Sequence, residues 1–255
     1  MKNVFSVILL LGCMTVFGQE AAQKVSWQFG ASGGITTGGS SSVNTAYEFS
    51  DKSGFRTGAF AKYFFNPRYA IVSEIEFERR GFGLQVYNNG LQISDTSSLI
   101  CWECYYTSSI DYQSFYLTFP FYLEFYKLSG KFGFMFKTGG YFSLTMQSYQ
   151  DGYEELFIDP EKGLPFAAYG YEPGHYRNIY IGQVQDVVNT YDAGLLFGFG
   201  MTYSISEHLG VFTDFIAQFG MVTYFENPEM IETQSFSSSL RLGVYYKMFP
   251  LMKNK

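Results

Sequence analysis

Ser114-Phe115-Tyr116-Leu117-Thr118-Phe119-Pro120-Phe121-Tyr122-Leu123-Glu124-Phe125-Tyr126 alternates with a period of two. Phe115, Leu117, Phe119, Phe121, Leu123 and Phe125 fall on one face. Ser114, Tyr116, Thr118, Tyr122, Glu124 and Tyr126 fall on the other. That period belongs to a β-strand with two unlike surroundings. At about 3.3 Å per residue and a tilt near 40°, roughly eleven residues cross about 28 Å, the depth of a hydrocarbon core. Most strands of soluble domains are about half as long.

The same pattern recurs in seven other stretches: 25–35, 55–65, 69–82, 132–146, 189–204, 210–225 and 235–249. Residues 66–68, 128–130 and 206–208 form short links with turn-type residues. Residues 36–54, 83–113, 147–188 and 226–234 form long ones. Short and long links alternate strictly, as short periplasmic turns and long outer loops do in membrane barrels. The expected fold is all-β: an eight-stranded antiparallel up-and-down transmembrane β-barrel with both chain ends on the periplasmic side. Alternation alone also admits a secreted lipocalin-like barrel with a dry apolar core. Gly and Ser on the polar faces, and apolar faces free of charge, favour the membrane form.

Composition agrees. The 255 residues include 28 Phe and 22 Tyr but only 16% charged residues, against about a quarter in ordinary soluble domains. Mean hydropathy is −0.03, as expected when lipid-facing and polar faces average out. Beyond the N-terminus no run of 18 apolar residues offers a membrane helix. A net charge of −6 argues against nucleic-acid binding, which needs a basic footprint.

Residues 1–19 read as an export signal: Lys2, an apolar core from Val4 to Val16, and Val16-Phe17-Gly18 before a cut near Gln19. The competing reading takes Leu10-Leu11-Gly12-Cys13 as a lipobox that would acylate Cys13. Residues 20–255 are the barrel domain, placed in the outer membrane.

If the polar faces point inward, the lumen gathers Glu74, Glu76, Glu78, Glu124, Asp192 and Asp214 with Arg56, Lys62, Arg80, Lys137, Arg241 and Lys247. Buried charges must pair. An eight-stranded barrel is just wide enough for side chains to fill. A plugged, salt-bridged lumen is expected rather than a pore.

The chain also resembles the PorT-like outer-membrane β-barrels of Bacteroidetes-type bacteria over about residues 25–249. The marks are Phe29-Gly30-Ala31-Ser32-Gly33-Gly34, the Phe115 to Leu123 segment with Pro120 in mid-strand, and Phe132-Gly133-Phe134 leading to Gly139-Gly140-Tyr141. Asp192-Ala193-Gly194 with Gly198-Phe199-Gly200 completes them. The resemblance implies an eight-stranded outer-membrane barrel. By analogy it also implies a scaffold or accessory subunit of an envelope complex, secretion-related in the founding members.

Other chemistry is sparse. Cys101-Trp102-Glu103-Cys104 reads as a local disulfide or exposed thiols; a redox or zinc role would need a thioredoxin-like context or a second ligand pair. His208 lies in a periplasmic turn. His175 could serve a lipid-modifying enzyme only beside a nucleophile. No catalytic, cofactor or metal site is expected. The longest outer segment carries Tyr153, Phe157, Phe166, Tyr169, Tyr171, Tyr176 and Tyr180. It reads equally as a surface for an envelope protein or glycan, giving a surface-binding barrel, or as a lid on the mouth. Outer-membrane lipid is the expected surrounding, with no nucleic acid.

Overall fold

The computed structural model describes residues 26–42, 47–92, 100–160, 174–184, 188–225 and 233–248. Nine strands are seen among them: β1 (Ser26–Ser42), β2 (Tyr47–Asn66), β3 (Tyr69–Gln92), β4 (Ile100–Ser129) and β5 (Phe132–Ile158), followed by β6 (Gly174–Gln183), β7 (Tyr191–Ser204), β8 (Leu209–Thr223) and β9 (Thr233–Lys247). All pairings are antiparallel. Because β4 pairs β5 and β9 pairs β1, β1–β5 and β7–β9 close an eight-stranded ring. Closure leaves none of the eight ring strands with an open edge in the bilayer, which a spanning sheet requires.

The stagger of the ring follows from the register. Stepping across pairs from Gln28 through Lys62, Val72, Tyr122, Gly139, Leu196, Gln218 and Ser237 returns to β1 at Gly38, ten residues on. Eight strands with that shear tilt by about 40° and leave an interior filled by side chains.

The outer wall is apolar. Phe121, Phe199, Leu240 and Leu242 lie exposed on it, Leu242 at 68%. Aromatic residues rim both ends of this band. Trp27–Tyr63 (5.0 Å between ring centroids) and Phe132–Tyr203 (4.9 Å) lie at the turn end. Phe77–Phe115 (5.8 Å) and Phe219–Phe236 (5.2 Å) lie at the loop end. Such girdles flank the roughly 25 Å apolar belt of transmembrane barrels. The charged residues are inside, so the dry-core alternative is overturned.

Three expectations need correcting. Residues 36–54, 83–113 and 147–188 are not simply loops: β1 runs to Ser42 and β2 starts at Tyr47, while β4 runs for 30 residues and β5 for 27. Thirty residues at that tilt rise about 75 Å, far more than the lipid belt. The outer halves of β3, β4 and β5 therefore leave the membrane as strands. There they gain a fourth neighbour, β6, which pairs β5 from Tyr149↔Gln183 to Ile158↔Gly174. Among the described residues β6 has a single neighbour in the sheet and so forms the edge of this blade.

Pro120 faces the lumen. It has no N–H to donate, and the β3–β4 register stops at Ser73↔Phe121 and resumes at Glu76↔Thr118. The missing rungs lie opposite Pro120 and Phe119.

Inward glycines have a packing role. Phe212 lies over its cross-strand partner Gly243, Phe60 over Gly30, and Tyr245 over Gly210. A ring from one strand thus fills the space a side chain would need on the next. Gly243→Val should collide with the Phe212 ring and cost about 1–3 kcal/mol by overpacking. A lowered urea midpoint for the detergent-solubilised barrel checks this, and an unchanged midpoint rejects it.

Candidate functional site

The lumen has three layers. At the turn end Phe60, Phe64, Tyr126, Phe212 and Tyr245 belong to one buried cluster, with Phe60 set edge-on to Phe212 at 5.6 Å. At the loop end Phe82, Leu84, Ile110 and Tyr112 meet Val184, Val188, Tyr224 and Phe225. Between them runs the charge network.

That network is one unbroken alternating chain. Lys62 pairs Glu124 at 2.5 Å, and Glu124 pairs Lys137 at 3.0 Å. Lys137 reaches Asp214 at 2.6 Å, which Arg241 holds at 2.9 Å. Arg241 Nη1 donates to Glu74 at 2.6 Å and also to Glu76. Arg56 lies 3.5 Å from Glu76 and 2.7 Å from Glu78. Arg80 continues to Glu78 at 3.5 Å and Asp192 at 3.0 Å. All these side chains are buried. Hydroxyls close many gaps: Tyr122 donates to Glu74, Tyr126 to Glu124, and Tyr141 to Asp192 at 3.0 Å.

Lys247 is the exception. It is half-buried at the periplasmic rim, donates to Ser204 Oγ at 3.1 Å and lies 5.4 Å from the Tyr245 ring. The end of β9 is too near the turn side for its side chain to join the chain of pairs.

Sequence reading missed much of the apolar filling. Phe60 and Phe64 share strand parity with Arg56 and Lys62, and Leu196 shares it with Asp192. Parity alone could have placed them inside. Lys52 of β2 and Asp111 of β4, 2.7 Å apart across the intervening β3, also went unforeseen.

The long outer segment divides in two. Its end is a lid: Val184 and Val188 pack into the mouth, Val188 bridges Phe225, and Asn189 Nδ2 donates to the Phe225 carbonyl at 3.2 Å. Its start belongs to the blade. Arg177 covers the Tyr153 ring at 4.6 Å, Phe157 stacks on Tyr105 at 5.5 Å, and Tyr180 donates to Glu154 at 2.6 Å. Tyr176 is exposed on β6. Phe166, Tyr169 and Tyr171 lie outside the described residues, as do Cys13 and the export signal.

His175 Nε2 meets Glu155 Oε1 at 2.8 Å, and the Tyr105 hydroxyl donates to the same oxygen at 2.9 Å. Hydrogen bonds from His175 and Tyr105 hold the Glu155 carboxyl below the usual carboxylate range. His208 Nδ1 sits 3.0 Å from the Lys247 carbonyl in the periplasmic turn. Cys104 is disulfide-bonded, while the side chain of Cys101 lies outside the described residues. Among the described residues no group of three or more His, Cys, Asp or Glu could hold a metal ion.

Residues 17–223 match the outer membrane protein beta-barrel domain family. The chain belongs to that family. This outer-membrane β-barrel also resembles several solved structures. OprG from Pseudomonas aeruginosa is 10% identical at a TM-score of 0.41, covering 90% of this chain and 99% of its own. Ail, the attachment invasion locus protein of Yersinia pestis, solved with the heparin analogue sucrose octasulfate, is 10% identical at 0.33, covering 87% and 99%. The outer membrane protease OmpT from Escherichia coli is 10% identical at 0.32, covering 91% and 100%. At this level of likeness none of them lends its activity to the barrel. No curated protein matches the chain significantly.

Proposed function

We propose that this barrel is a closed, non-enzymatic scaffold or accessory subunit of an envelope complex, and that it holds its partner through the outer blade. The observation that carries this is a contrast within one molecule. The lumen is filled from turn end to loop end, whereas β3–β6 extend well past the lipid belt. They end on an edge strand with Ile179 at 67% and Ile181 at 78% exposure. Beyond the membrane, exposed apolar residues on a strand that is an edge among the described residues suit a protein partner, since an edge strand can accept another strand. The PorT-like marks support a secretion-related complex. The same blade supports a second reading, a surface-binding barrel whose ligand lies outside the cell envelope.

A photo-crosslinking residue at Ile179, in cells and followed by mild detergent extraction, tests the proposal. One discrete envelope-protein adduct is expected, and none from the same probe at Phe121 on the lipid wall. Adducts only with added extracellular ligand would favour the second reading. A bare monomer at Ile179 overturns both.

A further inference from the structure

We infer that the sealed lumen binds one proton, shared by the carboxyl groups of Glu74 and Glu76. Charge balance among these buried groups requires it. Among the described residues the network holds five cations, Arg56, Lys62, Arg80, Lys137 and Arg241, against six carboxylates, Glu74, Glu76, Glu78, Glu124, Asp192 and Asp214. Lys247, which would even the count, lies outside it. One uncompensated charge inside a membrane barrel costs several kcal/mol, and a buried carboxylate in that position takes up a proton instead.

Geometry selects the pair. Glu124 has Lys62, Lys137 and the Tyr126 hydroxyl. Asp214 has Lys137 and both arms of Arg241. Glu78 has Arg56 and Arg80. Asp192 has Arg80 with the Tyr141 and Ser235 hydroxyls. Glu74 and Glu76, two residues apart on β3 and both turned inward, lean on the same Arg241 Nη1. Their carboxyl groups therefore meet at that one nitrogen.

The groups facing this pair are Arg56 from β2, Tyr122 from β4, Lys137 from β5, Asp214 and Gln218 from β8, and Arg241 from β9. Lys137 is committed to Glu124 and Asp214, and Arg56 hydrogen-bonds Glu78 and Gln218. Glu76 Oε2 is fully buried with no hydrogen-bond partner, although Arg56 Nε stands 3.5 Å away, equally without one. Two carboxyls in one site with too few cations ionise only once.

Infrared spectroscopy of the purified barrel in phospholipid vesicles at neutral pH tests this. The carbonyl stretch of a protonated carboxylic acid stands apart from the carboxylate bands. One such band, moved by exchange into heavy water, is expected in the unaltered protein. Glu76→Gln and Glu74→Gln each make the count five to five, so each should abolish the band. A gel mobility that changes on heating identifies which variants are folded, and either folded variant suffices. No band in the unaltered protein, or a band that persists in a folded variant, overturns the inference.

Discussion

Arg241→Met is expected to lower the unfolding free energy of the barrel by about 3–5 kcal/mol, the cost of removing one partner from a buried ion pair. Arg241 is the central link of the network. Its Nε and Nη2 both hold Asp214 at 2.9 Å, and its Nη1 serves Glu74 and Glu76. Methionine fills much of the same length but supplies no donor. Glu74 and Glu76 would then lose their shared cation, and Asp214 would keep only Lys137. Arg241→Lys should recover part of the loss and no more, because an ammonium cannot fork toward β8 and β3 at once. Urea titration in detergent, followed by gel mobility and tryptophan fluorescence, reads the change. A loss below about 1 kcal/mol would place these pairs in the class of screened surface bridges, contrary to their burial.

The parts of this molecule legible in its sequence are those where two solvents differ sharply. Along β4, Phe115 to Phe125 face lipid while Ser114 to Tyr126 face the lumen, so parity gives both the strand and the side on which Glu124 lies. The same contrast assigns Arg56, Glu76 and Lys137 to the interior. It fails where the two sides become alike. In the blade, Tyr105 and Thr107 on one face and Tyr106 and Ser108 on the other carry no hydropathy alternation. The strand there shows only as a run of β-branched and aromatic residues. It fails again inside the barrel, where Phe60, Leu196 and Ile216 occupy positions that a polar-lumen rule reserves for charges. Those residues fill space rather than balance charge, and parity marks their side without explaining their chemistry. Which carboxylate meets which cation depends on the ten-residue stagger of the closed ring, a property no single strand carries.

Leu242→Arg is expected to destabilise the barrel by about 2–4 kcal/mol, the cost of a cationic side chain at the bilayer midplane on a lipid face. Leu242 lies midway along β9, between the rim residues Phe236 and Tyr246, and pairs with Gly33 on one side and Thr213 on the other. Neither neighbour offers a carboxylate. An arginine there must stretch toward headgroups or draw water into the hydrocarbon. Leu242→Ala should cost less, about 1–2 kcal/mol, because urea unfolding carries this leucine from lipid into water and the truncation forfeits part of that transfer. Ile181→Arg should leave barrel stability unaltered, since β6 stands in water beyond the belt, and should instead weaken the Ile179 crosslink. The measurement is the urea midpoint of each variant in phospholipid vesicles. If Leu242→Arg matched the parent there, the wall around β9 would be a wetted surface, and apolar residues aimed outward would have no solvent to justify them.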